Sequence, residues 1–185
     1  MAEDEAIIRL DLVETLREEG YDVVAETGRG DEAIRLVEEF EPDLAILDVR
    51  MPGLDGIEVA REIVAERRAA VLILTAFGQR ELVERAADAG ALAYLVKPWD
   101  RGDLVPAIEV ALARHREMMA LAAENADLAG QLETRKLVDR AKGRLMDEHG
   151  LSEADAFRFI QTAAMGSRRP MSEAATDVIE GDLAP

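Results

Sequence analysis

The stretch DLAILDVRMPGLDG, Asp43 to Gly56, couples an apolar run to a single acid and then to a turn rich in Pro and Gly. Leu44 to Leu47 carries no polar residue on either face, the pattern of a strand buried between two layers of helices. Asp48 then stands at the carboxyl end of that strand. Ligands bind at this edge in open parallel sheets, so a carboxylate projecting there is placed for chemistry as readily as for capping the next turn. Taken alone, the stretch leaves those two readings level.

Working outward, three more strand ends carry polar groups. Glu3 and Asp4 lie near the start, Thr75 closes Val71 to Leu74, and Lys97-Pro98 follows Ala93 to Val96. Helical stripes separate them: Ile8, Leu12 and Leu16; Ile34 with Val37; Val83 with Ala86 and Ala87. Alternating strands and helices with right-handed crossovers bring the strand ends to one edge. Three carboxylates crowded there require a cation, and a hard ion such as Mg²⁺ suits oxygen ligands. With the charge neutralised, Asp48 becomes a nucleophile toward phosphorus. Lys97 and the Thr75 hydroxyl are placed for the phosphoryl oxygens.

This constellation resembles the receiver domain of two-component response regulators, over Glu3 to about Ala113. The resemblance implies an α/β, flavodoxin-like fold of five parallel strands in the order 2-1-3-4-5 with five helices, and phosphate accepted from a sensor histidine kinase. It assigns Glu3, Asp4, Asp48 and the backbone carbonyl of Arg50 to the metal, and Asp48 to the phosphoryl group. Thr75 and Lys97 become phosphate contacts, and Thr75 with Tyr94 the switch pair. It also implies a cis bond before Pro98. One departure stands out: receivers carry an apolar first strand before the acidic pair, and only Met1 and Ala2 precede Glu3 here. Each buried backbone group left unpaired by a missing central strand costs ~1–3 kcal/mol, against a total domain stability of about 5–15 kcal/mol. The expectation is a native start further upstream, or weak packing in a chain that begins at Met1.

The chain has 185 residues, so a receiver over 1–110 leaves a helical linker over 111–133 and a small domain over 134–185. No segment reaches the roughly 20 apolar residues of a membrane span, the first residues are too acidic for a signal peptide, and there is no cysteine. A cytoplasmic protein is expected. The net charge of −17 is uneven, with residues 1–110 carrying −14 and residues 134–170 carrying +3. Such a basic island is either a contact for a polyanion or a solvated helix face. In the linker, Met118, Leu121, Asn125, Leu128 and Leu132 follow 3-4-3-4 spacing. They form either a short parallel coiled coil, hence a homodimer, or a face packed on the chain's own C-terminal domain.

Three helices are expected in that domain. Thr134 to His149 ends at Gly150, Ser152 with Asp155 starts the second, and Ser172 caps a third. Leu137, Ala141 and Leu145, and Phe157, Ile160 and Ala164, form the core stripes. Lys136, Arg140 and Arg144 share one flank. The order ETRKLVDRAKGRLMDEHGLSEADAFRFIQTAA is similar to the ANTAR domain, with the likeness running from about Glu133 to Gly181. That likeness implies transcription antitermination through paired RNA stem-loops, with Lys136, Arg140, Lys142, Arg144, Arg158, Arg168 and Arg169 as candidate RNA contacts. The rival reading, a DNA-binding response regulator, would rest on Arg158 and Gln161 of the second helix. A stand-alone metal-dependent phosphatase lacks a second acid two residues after Asp48. No independent turnover is expected.

Overall fold

The computed structural model describes residues 1–76 and 80–185, which fall into two compact units, Met1–Ala120 and Leu121–Pro185. The first contains helices α1 (Ala6–Glu18), α2 (Gly30–Phe40), α3 (Gly56–Ala65) and α4 (Arg80–Asp88). Strands β1 (Leu44–Asp48), β2 (Ala70–Thr75) and β3 (Ala93–Val96) form its sheet. Helix α5 (Arg101–His149) begins in the first unit and ends in the second, which also holds α6 (Glu153–Ser167) and α7 (Met171–Glu180).

All three strands are parallel in the order β1-β2-β3, with Asp48 opposite Leu74 and Thr75 opposite Val96. Their alternating side chains build two apolar layers. Leu47, Val71 and Ile73 pack with Ala33, Val37, Ile57, Ile63 and Ala86 of α2, α3 and α4. Ile46, Leu72 and Leu74 pack on the opposite face with Leu12 and Leu16 of α1 and Leu104 and Ile108 of α5. Every residue of β2 is buried, as its uninterrupted apolar run predicts.

The parallel sheet of the expected receiver fold has three formed strands among the described residues, and the first strand, whose apolar run does not precede Glu3, is not one of them. Of the expected order 2-1-3, single residues remain: Ala2 bridges in parallel to Thr27 on one side and to Leu47 on the other. The Ala2 amide donates to the Ile46 carbonyl at 2.8 Å, and the Asp48 amide donates to the Ala2 carbonyl at 2.9 Å. Tyr21 to Ala25 alternate half-buried and exposed without a ladder. Beside them lies a cavity of about 330 Å³ lined by Tyr21, Val23, Ala25, Ile46, Ile108 and Leu112.

In the second unit, Val138, Ala141 and Leu145 of α5 pack with Ala156, Ile160 and Ala164 of α6 and Ala174, Ala175 and Val178 of α7. Three sequence expectations are corrected here. Thr134 does not begin a separate helix, because α5 runs unbroken through Gly130. Ser172 lies inside α7, whose N-cap is Pro170. The α6 core stripe begins at Ala156, and Phe157, one position round the helix, is 41% exposed. The remaining signals hold. Ser152 accepts from the Asp155 amide at 3.2 Å, and Gly150 takes a left-handed φ of +66°. Met118, Leu121, Leu128 and Leu132 of the linker stripe are all more than half exposed among the described residues.

Candidate functional site

The carboxyl ends of β1, β2 and β3 set Asp48, Thr75 and Lys97 at one edge, and the Ala2 bridge delivers Glu3 and Asp4 to the same place. Glu3, Asp48 and Thr75 are buried, whereas Asp4 is exposed. The Lys97 ammonium donates to Glu3 at 2.6 Å and to Asp48 at 3.1 Å. The other Asp48 oxygen accepts from the Val49 amide at 2.7 Å, which fixes the carboxylate's rotation. One carboxylate oxygen from each of Glu3, Asp4 and Asp48 lies within 4.8 Å of the others, so these side chains could hold a metal ion.

The electrostatics are unbalanced. Burial pushes the Glu3 carboxyl above its ordinary pKa, the Lys97 bond pulls it back, and the Asp48 charge pushes it up again. Burial alone would depress the Lys97 ammonium, but the bonds to Glu3 and Asp48 outweigh it, and its pKa lies above the usual value. One ammonium faces three carboxylates, so the donor set fits a hard divalent cation. Tyr94 is half-buried, and burial raises its phenol pKa, with a hydrogen bond to Thr75 opposing the rise. The Lys97-Pro98 bond is cis, as expected from the resemblance. Arg50 lies on the turn two residues beyond Asp48.

Sequence reasoning missed two supports. The Arg9 guanidinium donates to the Glu3 carbonyl at 2.7 Å, pinning the acidic pair from α1; its place one turn into a helix after the acids was the available signal. Gly56 closes the Pro- and Gly-rich turn, and a Cβ there would sit 1.9 Å from the Asp48 carbonyl oxygen. Gly56→Ala must therefore displace the Asp48 backbone. A loss of about 3 kcal/mol is expected, seen as a fall of about 10 °C in the unfolding midpoint. A midpoint unchanged within about 2 °C would contradict the close approach.

The basic residues of the second unit are mostly engaged within it. Lys136 pairs with Glu133 at 2.7 Å, Lys142 with Asp139 and Glu153 at 2.8 Å each, and Arg158 with Asp155 at 3.4 Å. Arg144 pairs with Glu148 at 2.8 Å and donates to the Ile179 carbonyl, and Arg169 pairs with Asp177 at 2.6 Å. The Asp139 bond, with that of Glu153 behind it, raises the Lys142 pKa, and the Lys142 bond lowers that of Asp139. Among the described residues Arg140 and Arg168, both exposed, make no ion pair. Arg135, which the sequence reading passed over, is likewise exposed and unpaired among the described residues. Exposed ion pairs are worth ~0–1 kcal/mol, so phosphate can compete with them at small cost.

Comparison with known proteins places both parts of the chain in families. The response regulator receiver domain family matches residues 1–109 and the ANTAR domain family matches residues 126–179. The chain belongs to the response regulators, as a receiver followed by an ANTAR domain. It is 58% identical over 180 residues to the transcriptional regulatory protein PdtaR of Mycobacterium tuberculosis, spanning 97% of this chain and 88% of that protein. It is 32% identical over 110 residues to sporulation initiation phosphotransferase F of Bacillus subtilis, spanning 59% of this chain and 88% of the relative. A crystal structure of a LuxR-family DNA-binding response regulator from Staphylococcus aureus superposes with a TM-score of 0.58 at 33% identity, covering 60% of this chain and 94% of that one. Among the described residues, no helix is long and apolar enough to cross a membrane.

Proposed function

We propose that this chain is a cytoplasmic, phosphorylation-controlled RNA-binding protein that acts as a transcription antiterminator. The observation that carries the reading is the ANTAR match at 126–179, joined in one chain to a receiver match that contains the Asp48, Thr75 and Lys97 edge. An Asp48 carboxylate oxygen attacks the phosphorus of a phosphohistidine on a sensor kinase. The P–N bond breaks, imidazole leaves, and an aspartyl phosphate forms. Lys97 and the Thr75 hydroxyl take the phosphoryl oxygens, and Tyr94 follows Thr75 inward. Glu3, Asp4, Asp48 and the Arg50 carbonyl would hold Mg²⁺, which supplies charge neutralisation for the transferred group. No substrate other than the phosphodonor is turned over.

Residues 1–110 serve as input, 111–133 as linker and 134–185 as output. The exposed stripe Met118, Leu121, Leu128 and Leu132, with Asn125 in register, pairs two copies after phosphorylation. Pairing sets two output domains against two RNA stem-loops, so weak sites combine without new contacts. Lys136, Arg140, Lys142, Arg144, Arg158, Arg168 and Arg169 meet the phosphates.

The test is binding to a panel of structured RNAs with and without an acyl-phosphate donor, reading size in solution alongside affinity and competing with duplex DNA at one salt concentration. Preference for hairpin RNA supports the reading. Preference for duplex DNA replaces it with a DNA-binding regulator. The metal assignment has its own measurement. About 10 mM Mg²⁺ is expected to raise the unfolding midpoint by several degrees, and an Asp4→Asn variant is expected to lose that rise. An equal rise in both chains removes Asp4 from the metal site.

A further inference from the structure

Phe157 is large, apolar and 41% exposed, beside a core of alanine, valine, leucine and isoleucine side chains that it does not join. It lines an open groove of about 720 Å³ whose opposite wall is α5, with Gln131, Thr134, Arg135 and Lys142 along it. The polar groups of that wall are only partly spent. Gln131 donates one amide N–H to Asp127 at 2.8 Å, which leaves its carbonyl oxygen as an acceptor beside its second N–H. Thr134 donates its hydroxyl to the Gly130 carbonyl at 2.9 Å, which leaves its lone pairs. Lys142 is held by Asp139 and Glu153, whereas Arg135 makes no ion pair among the described residues.

We infer that this groove takes one unpaired base of an RNA loop, stacked on the face of Phe157, with the Gln131 and Thr134 oxygens accepting from its exocyclic amine and Arg135 meeting the adjoining phosphate. The inference rests on the RNA reading above and adds where a base is read. The groove's charges nearly cancel, since Asp127 and Asp139 oppose Arg135 and Lys142. A nucleobase is neutral and needs no more; a phosphate lodged inside would meet two carboxylates. A helix from a second copy is the other conceivable occupant, but it would need a continuous apolar floor. Here Val138 is 8% exposed and Met171 half-buried, so among the groove's described lining residues Phe157 is the one large apolar side chain that projects. Aromatic stacking on a splayed base with hydrogen bonds to its edge is the general means by which proteins read single-stranded RNA. The Gln131 and Thr134 oxygens favour a base that carries an amine over uracil.

The test uses the full chain and hairpin RNAs recovered by it from a pool with randomised loops. Recovered loops should be depleted of uracil at one position, and 2-aminopurine placed there should lose fluorescence on binding. Phe157→Leu keeps an apolar, helix-compatible side chain at an exposed position and should lower affinity about tenfold, while Phe157→Trp stays within about threefold. Arg135→Gln should weaken binding to all retained hairpins and reduce the salt slope by about one. Helical circular dichroism of each variant checks that the fold persists. Unchanged affinity in Phe157→Leu, with the native chain still binding, overturns the stacking site and leaves the RNA reading in place. A Phe157→Leu change in sedimentation without RNA overturns it in favour of a contact between copies. Failure of the native chain to retain any hairpin overturns both.

Discussion

Asp48→Asn is expected to abolish phosphate uptake entirely: incubated with a small acyl phosphate and magnesium, the native chain should gain one labile phosphoryl mass at position 48 and the variant none. The reason is local. Asn keeps an oxygen for the Val49 amide, now bonded to Asp48 at 2.7 Å, so the turn is preserved, but an amide is not a nucleophile toward phosphorus. The variant also removes one of the two carboxylates held by Lys97, leaving Glu3 as that ammonium's partner at 2.6 Å. The fold should therefore survive the change. Because phosphorylation is proposed to pair two chains, the donor should raise affinity for a two-hairpin RNA on the order of a hundredfold in the native chain and leave the variant unmoved. Equal stimulation of both chains would show that control does not pass through Asp48. Phosphoryl mass in the variant would place the acceptor elsewhere.

The second large effect concerns the cavity beside β1. Residues Leu44 to Asp48 pair in full with Ala70 to Leu74 on one side, while on the other Ala2 is the sole bridged residue among those described. Backbone groups alternate in direction along a strand, so Leu44 directs its amide and carbonyl to the same side as the Ile46 carbonyl that Ala2 occupies. A space of about 330 Å³ separates that edge from Tyr21 to Ala25. Four apolar residues added ahead of Met1 are expected to continue the Ala2 bridges as a strand. Burying four aliphatic side chains contributes about 8 kcal/mol, ordering the added residues costs about 8, and about three ladder hydrogen bonds add about 1 each. A net gain near 3 kcal/mol should raise the unfolding midpoint by about 10 °C. An equal number of added Gly and Ser residues should not. Identical midpoints for the apolar and polar extensions would show that the cavity accepts no strand.

Local pattern made much of this legible. Strand β2 reads as buried from its apolar run because such a run can satisfy only a strand covered on both faces. The edge of Asp48, Thr75 and Lys97 followed from strand order, since parallel strands with right-handed crossovers share one carboxyl end. Gly150 and Ser152 announced a helix boundary through φ and hydrogen-bonding requirements that depend on immediate neighbours alone. The second strand of the expected sheet is a different matter. A strand is completed by partners distant in sequence, and Tyr21 to Ala25 carries the right alternation yet forms no ladder.

What the sequence by itself determined is the alternation of strands and helices, the acids, hydroxyl and lysine at the strand ends, and the reversal of charge beyond residue 134, because periodicity and composition are properties of neighbouring residues. What only the tertiary structure decided is which of those groups are spent. It ties Lys97 to Glu3 and Asp48, draws Lys142 to Asp139 and Glu153, and turns Phe157 outward in place of the expected core position. Ion pairing and burial depend on distances between residues far apart in the chain, and on a helix rotation of a single position, which no local pattern encodes.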